Sequence, residues 1–216
     1  MKFLPQILKL ADNNVTVALS MGADSVAIAH FLKTKYPKIQ LRAFHYNHAL
    51  REQNHEMLSA AFRFCNTFNI ELKWEARDVT LQTKLSESNL RALRYKAMAG
   101  LGHVITGHHL DDACENYMFN CLNGVPEYLP IPLVTEYKDF NLTVIRPFIN
   151  NSKAVFEEYI EKNDLTQFVV VDETNTDEMY RRNWLRNNIL PQIAEKGFGL
   201  EKIVWKRYDK YIKENF

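Results

Sequence analysis

The stretch from Val15 to Ser25 carries an apolar, β-branched run that stops at a serine, passes through small residues and enters an apolar helix pattern. Strand, small-residue loop and helix start together build a cradle for phosphate. Main-chain N–H groups and the positive end of the helix dipole converge there on one point. Ser20 and Ser25 add hydroxyl donors, Met21, Gly22 and Ala23 complete the loop, and Asp24 is placed to hold a cation beside the phosphates. A plain turn between a strand and a helix fits the same residues. No Gly-Lys-Ser/Thr follows the loop, and the Gly-x-Gly-x-x-Gly spacing is missing, so neither the Walker loop nor the dinucleotide fingerprint is present.

Further polar clusters lie downstream. His45-Tyr46-Asn47-His48-Ala49-Leu50-Arg51 follows a second strand-like run. Thr106-Gly107-His108-His109-Leu110-Asp111-Asp112 follows a fourth, with Glu115 one helical turn on. Asp112 and Glu115, three apart at a helix start, can face one cavity. Each cluster has a structural alternative: satisfied surface histidines for the first, helix-capping aspartates for the second. The basic run Arg181-Arg182-Asn183-Trp184-Leu185-Arg186 offers phosphate contacts and a stacking ring, or simply a solvated helix face.

The elements that must position these residues alternate. Strand patterns cover 15–19, 39–46, 70–76, 103–106 and 142–145; helix patterns cover 24–35, 52–68, 86–99 and 111–122. Such alternation predicts an α/β fold, a parallel five-stranded sheet with helices on both faces, whose ligands bind beyond the carboxyl ends of the strands. The polar clusters fall at those ends. Beyond a proline-rich loop at 125–132, the chain predicts a helix over 152–162 capped by Ser152, a basic helix over 177–190 stopping near Pro191, and a last apolar stripe over 201–211. Residues 1–150 read as one nucleotide-binding domain and 151–216 as a short helical extension packed on it.

The 216 residues are 46% hydrophobic and 25% charged, a composition able to bury a core without staples. The net charge of +1 gives no global basic field, so contact with nucleic acid falls to a local patch. Cys65, Cys114 and Cys121 form no Cys-x-x-Cys pair, which argues against zinc or iron–sulfur ligation and fits a reducing cytoplasm. No signal peptide or membrane span is expected.

The Ser20–Ser25 loop resembles the Ser-Gly-Gly-x-Asp-Ser loop of the PP-loop ATP pyrophosphatases, which cleave ATP between its α- and β-phosphates. Met21 stands where that family has its first glycine. If the position needs positive φ, the substitution costs about 1–2 kcal/mol, and the side chain stands to crowd a nucleotide. His45-x-Asn47-His48-x-Leu50-Arg51, Arg91-x-x-Arg94-Tyr95 and His108-His109-Leu110-Asp111-Asp112-x-x-Glu115 resemble segments of tRNA(Ile)-lysidine synthetases, with Asn116 replacing a threonine. Arg146-Pro147, Asp172-x-x-Asn175, Arg182-Asn183-x-x-Arg186 and Leu190-Pro191 follow in the same order.

The resemblance implies a Rossmann-like fold of the PP-loop type. It implies an ATP-dependent ligase that adenylates C2 of the wobble cytidine of tRNA(Ile) and joins free lysine there. Ser20–Ser25 would bind the phosphates, Asp24 would hold Mg²⁺, and Asn47 and His48 would line the nucleotide pocket. Arg91 would stabilise phosphate charge, and Asp112 and Glu115 would serve the lysine amine. Arg146, Arg181, Arg182 and Arg186 would contact tRNA. The amine assignment has a physical basis: at pH 7 only about 0.04% of a group with pKa near 10.4 is unprotonated, a shortfall of about 4.6 kcal/mol. A carboxylate beside the electrophile can bind the ammonium and take its proton; coordination of Mg²⁺ is the other use of the same acids. Members of this family often carry further tRNA-gripping domains. The chain is therefore expected to be a minimal enzyme, one assisted by a second copy or another protein, or the catalytic portion of a longer one. The other functions weighed are tRNA thiolation on the same loop and a non-catalytic relative that binds RNA or protein.

Overall fold

A computed structural model gives the fold and describes residues 1–50, 52–80, 86–125, 129–171 and 181–216. Arg51, Asp172, Asn175 and the start of the basic helix expected over 177–190 lie outside the described residues.

A short helix α1 (Pro5–Leu8) leads into β1 (Asn14–Ala18), α2 (Ala23–Lys35), β2 (Gln40–Asn47), α3 (Gln53–Thr67), β3 (Glu71–Ala76), α4 (Glu87–Ala97), β4 (Gly102–Ile105) and α5 (Leu110–Leu122). After the proline-rich loop come β5 (Val134–Tyr137), β6 (Leu142–Ile145) and α6 (Lys153–Lys162). The described C-terminal part holds α7 (Arg181–Trp184), a π-turn over Leu185–Ile189, α8 (Leu190–Glu195) and α9 (Leu200–Asn215).

The sheet has six strands in the order β3-β2-β1-β4-β6-β5. The expected five are parallel, and β5 adds an antiparallel edge, Val134 opposite Ile145 and Tyr137 opposite Leu142. This sixth strand was not expected, because a four-residue Val-Thr-Glu-Tyr after a proline-rich loop is too short to read as a strand on its own. Val17 pairs with both Ala43 and Ile105, and Ile105 pairs with Ile145. The register therefore brings the carboxyl ends of β1, β4 and β6 to one level. The strand order reverses between β1 and β4, the place where open α/β sheets bind ligands.

Alternate residues of each parallel strand serve opposite faces. Val15, Val17, Ala43, Ile105 and Ile145 join the main core with α2, α3, α5, α6 and α9. Phe44, Val104, Leu142 and Val144 meet Tyr95 of α4 and its C-cap residue Met98 on the other side. Helices thus cover both faces, as the near-continuous apolar strands require. In the C-terminal part α6 packs on α2 and α9 on α5. Tyr208 of α9 is fully buried; its hydroxyl donates to the Ile131 carbonyl at 2.8 Å and accepts the Ile131 N–H at 3.1 Å.

Two local expectations are corrected. Ser152 occupies the N-cap of α6 without a side-chain bond; the Asp111 carboxylate accepts the Lys153 N–H at 2.8 Å instead. Pro191 does not stop the helix, because it falls in the first turn of α8, where its missing N–H leaves no bond unmade.

Candidate active site

Beyond β1 the Leu19 N–H still donates to the Phe44 carbonyl at 2.8 Å, and the chain then turns. The Ser20 N–H donates to Ser25 Oγ at 3.2 Å, and Ser25 Oγ donates to the Gly22 carbonyl at 3.0 Å. The two serine hydroxyls are 3.2 Å apart. Gly22 enters α2 in an extended conformation, and no side chain caps the helix. The first amides of α2 are therefore left for a ligand, with the dipole's positive end behind them.

Met21 adopts φ +68° and is fully buried. The positive φ suspected from the missing glycine is there. The feared crowding is not, because the side chain lies in the main core and exposes none of its surface. Its carbonyl accepts the Val170 N–H at 2.9 Å, which ties the loop to the segment after α6.

The loop after β4 lies directly against this turn. A Cβ on Gly107 would stand 3.2 Å from Asp24 Cβ and 3.4 Å from the Ser25 nitrogen, so only glycine permits this approach without displacement. His109 bridges the two loops. Its Nε2 is 3.9 Å from Asp24 Oδ2 and 3.4 Å from Asp112 Oδ2, and its Nδ1 is 3.5 Å from Asp111 Oδ2. Burial pushes its pKa down, but the three carboxylates outweigh burial and leave it above the ordinary value. Asp24 moves up, chiefly through burial, against the pull of His109. His109 is also the N-cap of α5; its N–H donates to Asp112 Oδ2 at 3.0 Å, and the Asp112 N–H points at its Nδ1 from 3.3 Å. The capping expected of the aspartates therefore holds alongside the site geometry.

Asp24 Oδ1 is buried and has no hydrogen-bond partner. A buried carboxylate oxygen in that condition suits a hard cation. Among the described residues no group of three His, Cys, Asp or Glu side chains is arranged to hold a metal by itself. A cation here would need oxygen ligands from a phosphate as well.

Asp112 and Glu115 do share one face of α5, and what faces them is Arg186 from the π-turn. Arg186 Nε donates to Glu115 Oε2 at 2.6 Å and Nη2 to Asp112 Oδ1 at 3.2 Å. Burial raises the pKa of Glu115, and Arg186 pulls it back. Arg182, one turn earlier, donates to Asn116 Oδ1 at 2.6 Å and lies over the Phe119 ring at 5.1 Å. Arg182 and Arg186, expected to contact tRNA, thus fold onto α5, while Arg181 and Trp184 remain exposed. The matching helical spacings, 182 and 186 against 112, 115, 116 and 119, carried this pairing unnoticed in the sequence.

The second cluster borders the first. The buried His45 bonds the Leu19 carbonyl through Nδ1 at 2.8 Å, its pKa lowered by burial, so the neutral ring donates. Asn47 is buried; its Oδ1 accepts the Ala49 N–H at 2.8 Å and shapes the loop in which Ala49 takes φ +49°. The His48 ring stands edge-on to Tyr46 at 4.8 Å. Arg91 and Arg146 lie apart from the acids, on the α4 side of the sheet. Arg146, expected to contact tRNA, is 2% exposed and donates to the Pro132 carbonyl at 2.7 Å and Thr135 Oγ1 at 3.0 Å, a position inside the fold.

Residues 2–193 match the PP-loop domain family. The chain is 31% identical over 222 residues to a tRNA(Ile)-lysidine synthase of Borreliella burgdorferi, covering 95% of this chain and 48% of that protein. It is 29% identical over 205 residues to one of Thermotoga maritima, covering 89% and 48%. The chain thus spans about half the length of the curated relatives it matches. Among solved structures, a U34-tRNA thiolase from Methanococcus maripaludis with its [4Fe-4S] cluster superposes with a TM-score of 0.73 at 18% identity, covering 97% of this chain and 78% of that one. That likeness concerns the fold.

Proposed function

The chain belongs to the PP-loop family, and from that premise we propose that it uses ATP and Mg²⁺ to convert the wobble cytidine of tRNA(Ile) to lysidine. In the first half-reaction the O2 oxygen of the cytidine attacks the α-phosphorus of ATP and pyrophosphate leaves. In the second the ε-amine of lysine attacks C2, AMP leaves and the amine gives up a proton. The uncapped start of α2 with Ser20 and Ser25 receives the phosphates, and Asn47 and His48 shape the neighbouring pocket edge. Asp24 would hold Mg²⁺, which would supply charge neutralisation for the leaving pyrophosphate. Asp112 and Glu115 bind the ammonium and take its proton; Arg181 contacts tRNA phosphate.

The observation that carries this reading is the unbroken run of contacts from Asp24 through His109 to Asp112 and through Arg186 to Glu115. Phosphate loop and paired acids adjoin through His109, and the acids hold the guanidinium of Arg186. The upward push of burial on the Glu115 pKa fits a carboxylate that must accept a proton from an amine. Thiolation, the chemistry named for the structural neighbour, draws no comparable support. Cys65 and Cys114 are buried with thiols pushed up to about 12, which suits packing rather than sulfur transfer.

Pyrophosphate release from ATP, measured with tRNA and with or without lysine, tests the reading. tRNA-dependent release is expected, with AMP following when lysine is added. Sulfur transfer to tRNA without lysine uptake would refute it, and so would RNA binding with no detectable binding of ATP.

A further inference from the structure

The outer edge of β3 closes the sheet on the side away from β5 and takes no part in the site described above. Its sequence, Glu71-Leu72-Lys73-Trp74-Glu75-Ala76, puts acidic, basic and acidic side chains on one face and Leu72, Trp74 and Ala76 on the other. We propose that this edge pairs antiparallel with the same edge of a second copy of the chain, about a two-fold axis that passes between the two Trp74 residues. The inference stands apart from the reaction proposed above.

The main chain is oriented for such pairing. β3 lies parallel to β2 along its length, and beyond it the Arg77 N–H donates to the Asn47 carbonyl at 2.8 Å. Successive residues of a strand turn their main-chain groups to opposite edges. Glu71, Lys73, Glu75 and Arg77 therefore face β2, and the N–H and C=O groups of Leu72, Trp74 and Ala76 face outward. Among the described residues no strand takes them, and an open edge of this kind is a template for another strand. The side chains are accessible too, since Leu72 alone of the six is half-buried and the rest are exposed. Trp74 is 44% exposed and meets the ring of Phe62 from α3, itself 41% exposed, edge-on at 6.3 Å. Two large rings side by side at an open edge make an apolar patch of the kind that marks a protein contact.

The charge pattern selects a second copy as the occupant and fixes the register. A two-fold axis perpendicular to the sheet keeps every residue on its own face, so the axis falls on a residue and not between two. With the axis at Lys73 or Glu75, like charges stand opposite each other, which is repulsive. With the axis at Leu72, Glu71 meets Lys73, but only three residues of each strand overlap. With the axis at Trp74, five residues overlap and Lys73 meets Glu75 on both sides of the axis. Leu72 then meets Ala76, and the two Trp74 residues stand opposite each other. The outward main-chain groups match in this register: the Leu72–Ala76 and Trp74–Trp74 pairs exchange N–H···O bonds, and Lys73 and Glu75 take the closer, non-hydrogen-bonded positions. Trp74 and Phe62 of both copies form one aromatic cluster on the α3 side. Because the same patch serves both copies, the contact closes as a dimer and does not propagate.

The test is sedimentation equilibrium of the whole chain from about 1 to 100 μM, for wild type, K73E, E75K, the K73E/E75K double variant and W74A, with circular dichroism to verify folding. A single pair of strand edges is a small interface, so wild type is expected to dimerise with a Kd on the order of 10 μM. The two-fold repeats every pair, so each single reversal turns two attractions into two repulsions and is expected to weaken dimerisation about tenfold or more. The double variant exchanges the signs and is expected to return to within about threefold of wild type. W74A is expected to weaken the dimer about tenfold. All the substituted positions are exposed, so the fold is expected to survive each change. A wild type that stays monomeric throughout overturns the inference. So does a dimer indifferent to both single reversals, which would assign the contact to another surface. A folded double variant that remains as weak as the single ones overturns it as well, because Lys73 and Glu75 would then not be opposite each other.

Discussion

Met21 offers a stability test of the loop conformation on which phosphate binding depends. Its φ of +68° places a non-glycine residue in the left-handed region, and its side chain is fully buried. Truncation to alanine removes a buried methionine, a loss of about 2–5 kcal/mol, and keeps the backbone strain. Truncation to glycine loses the same contacts, relieves about 1–2 kcal/mol of left-handed strain and gives back about 0.4–1 kcal/mol through the freer unfolded chain. Both variants are therefore less stable than wild type, but M21G is expected to exceed M21A by about 1 kcal/mol, the reverse of the usual order. In a chain of this length that difference is about 2–4 °C in Tm. Urea titrations of the three proteins measure it. Equal midpoints, or a more stable M21A, would refute the left-handed turn. The same proteins test the second half of the argument: because the side chain sits in the core, M21G is not expected to bind MgATP more tightly, and a severalfold gain would show that the methionine does obstruct the cradle.

Other expectations follow from the contacts around the hollow. His109 has its pKa raised in the fold above the 6.5 of the free group, so its stabilising contribution is fully present below pH 6.5 and is lost as pH rises through the folded value. The stability difference between wild type and H109Q, measured by denaturation from pH 5.5 to 9, should shrink with rising pH; a difference that grows would contradict the carboxylate clamp. G107A inserts a methyl 3.2 Å from Asp24 Cβ and should cost about 1–3 kcal/mol by overpacking and weaken MgATP binding, whereas retention of both stability and affinity would show that the loops are not in contact. R186M leaves the buried Glu115 without its charged partner; a loss of about 1–3 kcal/mol at pH 7, reduced at pH 5 as Glu115 protonates, is expected in the same titrations.

Much of the fold was legible because the central strands β1, β4 and β6 are largely apolar, residues 70–76 alternate, and strand and helix patterns follow one another in turn. Val15–Leu19 reads plainly as a strand, and Leu142–Ile145 reads as a last one stopped by Pro147. What escaped was set by tertiary contact. Val134–Tyr137 becomes a strand only because β6 offers an edge. The cap of α6 comes from Asp111 in the first turn of α5, so Ser152 misled. At the site, residue type and strand-end position sufficed to bring Ser20–Ser25, Asp24, Asp112 and Glu115 together. Charge alone did not reveal that Arg182 and Arg186 meet α5, since a basic helix face reads the same whether it meets water or acids. Nor did it reveal the burial of Arg146, which directly follows β6. The contribution of Gly107 depends on a separation between two loops that no local pattern encodes.

The most direct test of the account is the fate of lysine. Labelled lysine, MgATP and unmodified tRNA(Ile) are incubated with wild type, D24N and E115Q, and the label is followed into tRNA alongside AMP and pyrophosphate. The account predicts one lysine per tRNA, joined at the wobble cytidine with one AMP and one pyrophosphate formed, and loss of that uptake in both variants. ATP turnover on tRNA that leaves lysine free, or lysine uptake undiminished in E115Q, would contradict it.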